Sequence, residues 1–448
     1  MALRSDERPA RPEVASVETK DRLGAGADKT VARAMSPLLA HLFGGSLPVR
    51  LAFWDGSAAG PLGGPGTIVL RAPRALARLV WSPDELGMAR AFVTGDIDFD
   101  GNLFEMLLAL EAKTKGRRRL GPRAVASGLW TALRLGVIGL PPSRPEEEVR
   151  LGGWLHSKQR DAVAIRHHYD VGNDFYRLVL GPSMTYSCAR FDREGMSLEE
   201  AQRSKHDLIC RKLGLAERPG ARLLDVGCGW GSMAMHAAKN YAARVVGVTL
   251  SASQVELARE RVRDAGLEAN VEIRLQDYRD LRGESFDAIS SIGMFEHVGT
   301  KRMDEYFNIL FSLLAPTGRL LNHAISTPGG SRMHGRSFIN RYVFPDGELV
   351  DLANVAGAME RAGFEVRDVE SLREHYSETL HAWVANLESS WDQAVALVGE
   401  PRARVWRLYM GGSANGFDDG GIAVHQVLGA LPAQGGASGM PRARTGWG

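Results

Sequence analysis

Three glycines, Gly227, Gly229 and Gly231, stand in LLDVGCGWGSMAMHAA between a β-branched run and a helical pattern. A tight strand-to-helix turn of this kind lets backbone approach a ligand where any Cβ would clash. It is not the dinucleotide fingerprint, because the third glycine comes one place early and Ser232 holds its expected position. That fingerprint also wants a carboxylate about 20 residues on, where Gly247, Val248 and Thr249 stand, so NAD and FAD are disfavoured. By themselves Glu296 reads as a solvated loop acid and His323 as a hydrogen-bonded core histidine, the commoner fate of a single His. The adjacent His167 and His168 invite a metal reading. Consecutive ring positions diverge on a helix and no Cys or carboxylate spacing supports them, so metal is rejected.

These residues need elements to position them. The runs ARLLDVG, ARVVGVTL, VEIRLQD, FDAISSIG and GRLLNHAIS are apolar and β-branched, with helical segments between them. Phe307, Leu310, Phe311 and Leu314 keep helical spacing, and Val255, Ala258, Val262 and Ala265 form a weaker stripe. Alternating strand and helix predict an α/β, Rossmann-like domain with a mostly parallel, doubly wound sheet, preceded by a smaller α+β domain. Gly227, Thr249, Asp277, Glu296 and His323 then fall at or just past the ends of five successive strands, and ligands of open α/β sheets bind there. One crevice would collect all five.

The chain has 448 residues, 44% hydrophobic and 24% charged, which excludes global disorder. Its 51 glycines show no triplet period, so collagen is excluded. With 55 Lys and Arg against 53 Asp and Glu, a nucleic-acid partner is not indicated. Cys188, Cys210 and Cys228 form no CxxC pair, which argues against a zinc site or disulfide framework and fits a reducing cytoplasm. The charged opening offers no apolar signal core, and no run reaches the ~20 apolar residues of a membrane span. Membrane contact is therefore expected to be peripheral.

The pattern divides the chain into a disordered lead (1–30), an α+β domain (31–112), a basic and apolar linker (113–159), the main domain (160–432) and a flexible tail (433–448). KTKGRRRLGPR in the linker holds six cations and no acid, and AVASGLWTALRLGVIGL after it has one charge, Arg134. A solvated charge run and a docking element for anionic lipid are both open there.

The glycine spacing suits the loop of S-adenosylmethionine-dependent methyltransferases, with Asp225 ending the strand. Six segments in order, HHYDVGNDFYRLVLGPSMTYSCARF, LLDVGCGWG, GVTLSASQ, SIGMFEHVG, NHAIST and EHYSETLHAW, resemble the cyclopropane-fatty-acyl-phospholipid synthase and mycolic acid cyclopropane synthase family. The likeness covers about 160 to 430, and more loosely the N-terminal domain. It implies that S-adenosylmethionine is held by Tyr186 and Ser187, by Gly227, Gly229 and neighbours, by Thr249, Leu250 and Gln254, and by Asp277 with Tyr278. Gln254 also completes an S-x-x-Q capping box with Ser251, and both roles can coexist. With no acid ending the second strand, Gln254 is favoured as a ribose contact, and Asp277 is placed near the adenine edge.

Cys188, Glu296, His323, Ile325 and Tyr376 match residues that enclose bicarbonate in those synthases. The resemblance implies methylene transfer to a cis double bond of a phospholipid acyl chain, through a carbocation, with bicarbonate as base. Glu296 would orient the bicarbonate hydrogen and His323 share its charge, and no nucleophilic attack is assigned to Cys188. The implied partner is a phospholipid surface at the inner face of the membrane, and a homodimer is compatible with it. The nearest rival reading forms a methylene-branched chain, or a methyl-branched one with a partner reductase. Methyl transfer to oxygen or nitrogen of a soluble molecule, and a non-catalytic membrane scaffold, are the remaining classes.

Overall fold

The computed structural model describes residues 30–114, 122–137, 139–149, 171–329, 337–345 and 347–444. His167, His168 and cations 115–119 of the basic tract lie outside them, as does the lead to residue 29.

The first unit is built on a four-stranded sheet. Its strands are β1 (Arg50–Ala52), β2 (Ala58–Ala59), β3 (Gly66–Leu70) and β4 (Ile97–Gly101), in the order β2-β1-β3-β4. Helices α1 (Val31–Phe43), α2 (Pro73–Trp81), α3 (Glu85–Val93), α4 (Leu103–Thr114) and α5 (Pro122–Arg134) surround it. Val49, Ile68, Phe92, Ile97 and Met106 close its core.

The second sheet has seven strands in the order β10-β11-β9-β8-β5-β6-β7. These are β5 (Arg222–Val226), β6 (Arg244–Thr249), β7 (Val271–Leu275), β8 (Phe286–Ile292), β9 (Leu314–Ser326), β10 (Glu365–Ser371) and β11 (Ala423–Ala430). β5 pairs in parallel with β6 and β8, β6 with β7, and β8 with β9. Only β11 runs antiparallel to its two neighbours. Both faces of the parallel part are covered by helices, so strand residues such as Leu223, Leu224, Ile289 and Leu320 are wholly buried. This is the expected Rossmann-like α/β domain. Strand order reverses between β5 and β8, and the crevice at such a reversal is where ligands bind.

Two sequence expectations need correction. The helix containing Phe307, Leu310 and Phe311 (α10 in chain order, Met303–Ser312) stops before Leu314, which opens β9. Leu314 is apolar because it pairs with Phe286 across the sheet, not because it continues the stripe. His323 lies inside β9 rather than at its end, since antiparallel β11 pairs as far as Ser326 and sets Gln426 opposite His323.

Five more helices matter for the site: α6 (Asn173–Leu180), α7 (Leu198–Lys212), α9 (Ala252–Asp264), α13 (Arg373–Ser389) and α15 (Glu400–Asp418). Apolar residues of α3, α6, α13 and α15 share one core with Cys188 and Trp230. The first unit is thereby packed onto the helices that roof the crevice.

Candidate active site

The glycine loop takes the conformation its residues allow. Gly227, Gly229 and Gly231 have φ of 74°, 54° and 80°, the left-handed region that side chains disfavour. A Cβ built on Gly229 would meet no atom within 4 Å, so this backbone faces open space. The Gly227 and Cys228 N–H groups donate to the Val248 carbonyl (2.9 and 3.0 Å), tying the loop to the end of β6. The cleft beside it is lined by Tyr186, Ser187, Lys205, Asp225, Gly227, Gly229, Thr249, Leu250, Gln254, Tyr278 and Arg279, among others.

Nine of the eleven residues expected at the cofactor therefore meet in one cleft. Gly231 sits behind it as the N-cap of the helix at Ser232–Tyr241, and Asp277 is not among the lining residues, though its neighbours Gln276 and Tyr278 are. Both Asp277 carboxylate oxygens accept from Arg279, the closer at 2.7 Å, so Arg279 faces the cleft with its charge already matched. The capping box is only half made. Ser251 Oγ accepts from Gln254 N (3.4 Å), but the Gln254 side chain accepts from Thr249 Oγ1 (2.8 Å) instead of turning back to the cap. That frees Gln254 from capping and holds it at the end of β6.

Asp225 is buried and accepts from Ser290 Oγ at 2.7 Å through Oδ1, while Oδ2 has no hydrogen-bond partner. Burial pushes its carboxyl up to about 6, against the Ser290 bond and the Lys205 charge.

A second cluster lies across β9. Glu296, in a 3-10 turn after β8, accepts from the Ile325 N–H at 2.7 Å through Oε1, and its shielded Oε2 has no partner. Burial pushes the Glu296 carboxyl up to about 7 against that bond. His323 is 2% exposed, and its Nδ1 is 3.3 Å from Gln426 Nε2. With the Gln426 amide in this orientation Nδ1 accepts and the neutral ring carries its hydrogen on Nε2, which has no partner. Burial, then Lys205, Lys212 and His425, holds this imidazole well below its ordinary value.

Hydrogen bonds join the rest of the cluster. Cys188 Sγ lies 3.6 Å from the Leu372 carbonyl, Leu372 N donates to Val424 O, and Val424 pairs with Ile325. Tyr376, one turn after Leu372 on α13, stacks on Phe417 with centroids 4.6 Å apart. Cys188 is fully buried, and burial pushes its thiol far above the ordinary value, which is no environment for a nucleophile.

Aromatic rings pack together behind Tyr186, at one side of the cleft. Tyr186 packs on Tyr176, Trp383 and Trp406 at 5.6, 5.3 and 5.9 Å, and its hydroxyl meets that of Tyr409 at 3.1 Å. The sequence reading missed Tyr176, Trp383, Trp406 and Tyr409. Trp383 shares a helix face with Tyr376 seven residues earlier, a signal within reach. Lys205 was missed too; it is wholly buried, with Nζ 2.9 Å from Ser187 Oγ and 3.1 Å from His206 Nε2. Among the described residues no group of three or more His, Cys, Asp or Glu could hold a metal ion.

Residues 156–427 match the family model described as mycolic acid cyclopropane synthetase. The chain is 43% identical over 396 residues to a probable fatty acid methyltransferase of Mycobacterium tuberculosis, covering 86% of this chain and 91% of that one. It is 38% identical over 300 residues to the cyclopropane-fatty-acyl-phospholipid synthase of Escherichia coli, covering 66% and 76%. Among solved structures, mycolic acid cyclopropane synthase CmaA1 complexed with SAH and CTAB aligns with a TM-score of 0.57 at 38% identity, over 60% of this chain and 97% of that one.

Proposed function

Since the chain belongs to the mycolic acid cyclopropane synthetase family, whose members are S-adenosylmethionine-dependent methyltransferases, we propose that it adds a methylene bridge across the cis double bond of an unsaturated phospholipid acyl chain. One observation carries the cyclopropane reading. Glu296 Oε2 and His323 Nε2 are shielded polar atoms without hydrogen-bond partners. Such groups are costly unless a polar ligand completes them. A bicarbonate ion fits, because His323 offers a donor and Glu296 an oxygen whose pKa near 7 lets it donate or accept.

Tyr186, Ser187, Gly227, Gly229, Thr249, Leu250 and Gln254 would hold S-adenosylmethionine. Bound there, it supplies a sulfonium-activated methyl carbon, and bicarbonate supplies a base for that methyl group. The chain's own contribution begins with position and dryness, since an alkene is a weak nucleophile and water would compete for a cationic carbon. The faces of Tyr186, Trp383 and Trp406 favour developing positive charge without a covalent trap. Ile325 N–H fixes Glu296 Oε1, which leaves Oε2 to receive or orient a proton. Gln426 holds the His323 ring through Nδ1.

A methylene- or methyl-branching reaction is the second reading, favoured by the names of relatives that match most of the chain. The two differ in which proton leaves. Lipids from a bacterium lacking its own synthase and expressing this chain should show the far-upfield proton resonances of a cyclopropane methylene. Olefinic signals alone, removed by mild hydrogenation, would establish the branching reading instead.

A further inference from the structure

Lys205 is the least expected residue of the cleft. It lies on α7, three residues after Gln202, whose amide donates to the Ser187 carbonyl at 2.9 Å. The two side chains hold residues 185–187 from behind. Holding a backbone does not need a charge, yet Lys205 carries an ammonium with no solvent exposure. Among the described residues it makes no ion pair with a carboxylate, and its neighbours at hydrogen-bond distance are the neutral Ser187 hydroxyl and His206 ring. A buried cation with no carboxylate within ion-pair distance is expensive, and Asp225 in the same cleft acts on it only from further off. Asp225 presents the opposite case in the same cleft, with Oδ2 buried and unpartnered.

A ligand that satisfies both must carry a carboxylate and an ammonium a short distance apart, which describes an α-amino acid zwitterion. From this complementarity, and resting on the reading that the cleft takes S-adenosylmethionine, we infer that Lys205 is the seat of the cofactor's carboxylate, reached with Ser187, while Asp225 receives its ammonium. Burial as the leading cause draws the Lys205 ammonium down to about 7 and lifts Asp225 to about 6, and the charge of each on the other is too weak to cancel the cost. His206, held well below its ordinary value by burial and by Lys205, is neutral and accepts from the ammonium. The third Lys205 hydrogen is then left for the ligand.

Calorimetry on the full chain with two ligands separates this from a scaffolding role. S-adenosylhomocysteine carries the zwitterion, and 5′-methylthioadenosine lacks it. Lys205→Met should weaken S-adenosylhomocysteine by about ten- to a hundredfold, the usual worth of a charged hydrogen bond, and leave methylthioadenosine within about twofold. Equal loss of both would overturn the proposal and make Lys205 a scaffold residue. If Lys205→Met does not fold, the wild-type chain decides: S-adenosylmethionine should bind at least tenfold tighter than its decarboxylated analogue, and equal affinity would overturn the seat. Failure of the wild-type chain to bind S-adenosylhomocysteine at all would instead overturn the cofactor reading beneath it.

Discussion

Glu296 joins the chemistry of the site to the stability of the fold. Its carboxyl, ordinarily near 4.5, is lifted to about 7 by burial. A carboxylate with a raised folded-state pKa favours the native state while protonated, and that advantage is lost as pH rises through the folded value. Glu296→Gln cannot ionise and escapes the loss. The melting temperature of the variant minus that of the wild type should therefore grow between pH 5.5 and pH 8.5 in bicarbonate-free buffer, and a flat difference would show that Glu296 is not shielded. The same variant should bind S-adenosylhomocysteine within about twofold of wild type yet turn over at least tenfold more slowly, the usual scale of a lost acid–base group. Cofactor affinity falling in step with turnover would contradict the separation of the clusters. Glu296 and His323 could be singled out in the sequence because they stand in ordered, specific motifs. Lys205 could not, because a lysine among LEEAQRSKHDLICRK reads as solvated. Only tertiary packing shows that it faces inward, and only the structure shows that Asp277 is paired with Arg279.

At the scale of elements, α15 decides whether the roof of the crevice stays on the first unit. Arg404 on α15 pairs with Asp98 of β4 at 3.2 Å and with Glu400 at 2.8 Å, and its guanidinium lies 5.2 Å from the centre of the Phe92 ring. Asn415, three turns on, donates to the Phe104 carbonyl of α4 at 3.0 Å. Burial would raise the Asp98 pKa, but Arg404 and Arg71 overcome it and hold the carboxyl below 3.8. Arg404→Met keeps most of the volume and leaves Asp98 with Arg71 as its remaining charged partner, at 2.6 Å. It should cost roughly 1–3 kcal/mol, less than a wholly buried pair because Asp98 is partly exposed, or a few degrees in melting temperature. The Asp98 contribution is present above pH 3.8 and lost as pH falls through its lowered value, so the gap should close in that range. An equal gap at pH 3 and pH 7 would assign the effect to packing alone. The parallel strands were legible as apolar β-branched runs. The α10-to-β9 boundary was not, because Leu314 fits a helical stripe and a buried strand equally well, and β11 sets the length of β9 from a hundred residues away.

At the scale of the molecule, the formal charge of +2 hides a strong asymmetry. Residues 113–145 hold no acid. They hold Lys113, Lys115, Arg117, Arg118, Arg119, Arg123, Arg134 and Arg144. Helix α5, inside this stretch, packs Ala132 inward and turns Trp130 and Leu133 outward, 62% and 58% exposed, with Leu140 just beyond at 93%. Among the described residues no helix is long and apolar enough to cross a membrane. A cationic helix with outward Trp and Leu suits the boundary between headgroups and acyl chains, and an enzyme whose substrate is a lipid chain must work at that boundary. We propose docking on an anionic bilayer through this segment, by two separable contributions. Charge attraction is worth about 1 kcal/mol per cation near the surface and is screened by salt, whereas apolar insertion follows buried area and is not. With phosphatidylglycerol vesicles, neutralising the six cations from Lys113 to Arg123 should lower both affinity and its salt slope. Trp130→Ser with Leu133→Ser should lower affinity at every salt concentration and leave the slope unchanged. Wild-type vesicle binding by both variants would move docking to another face, and a salt slope changed by the Trp130 and Leu133 pair would mean that α5 positions the cations instead of inserting.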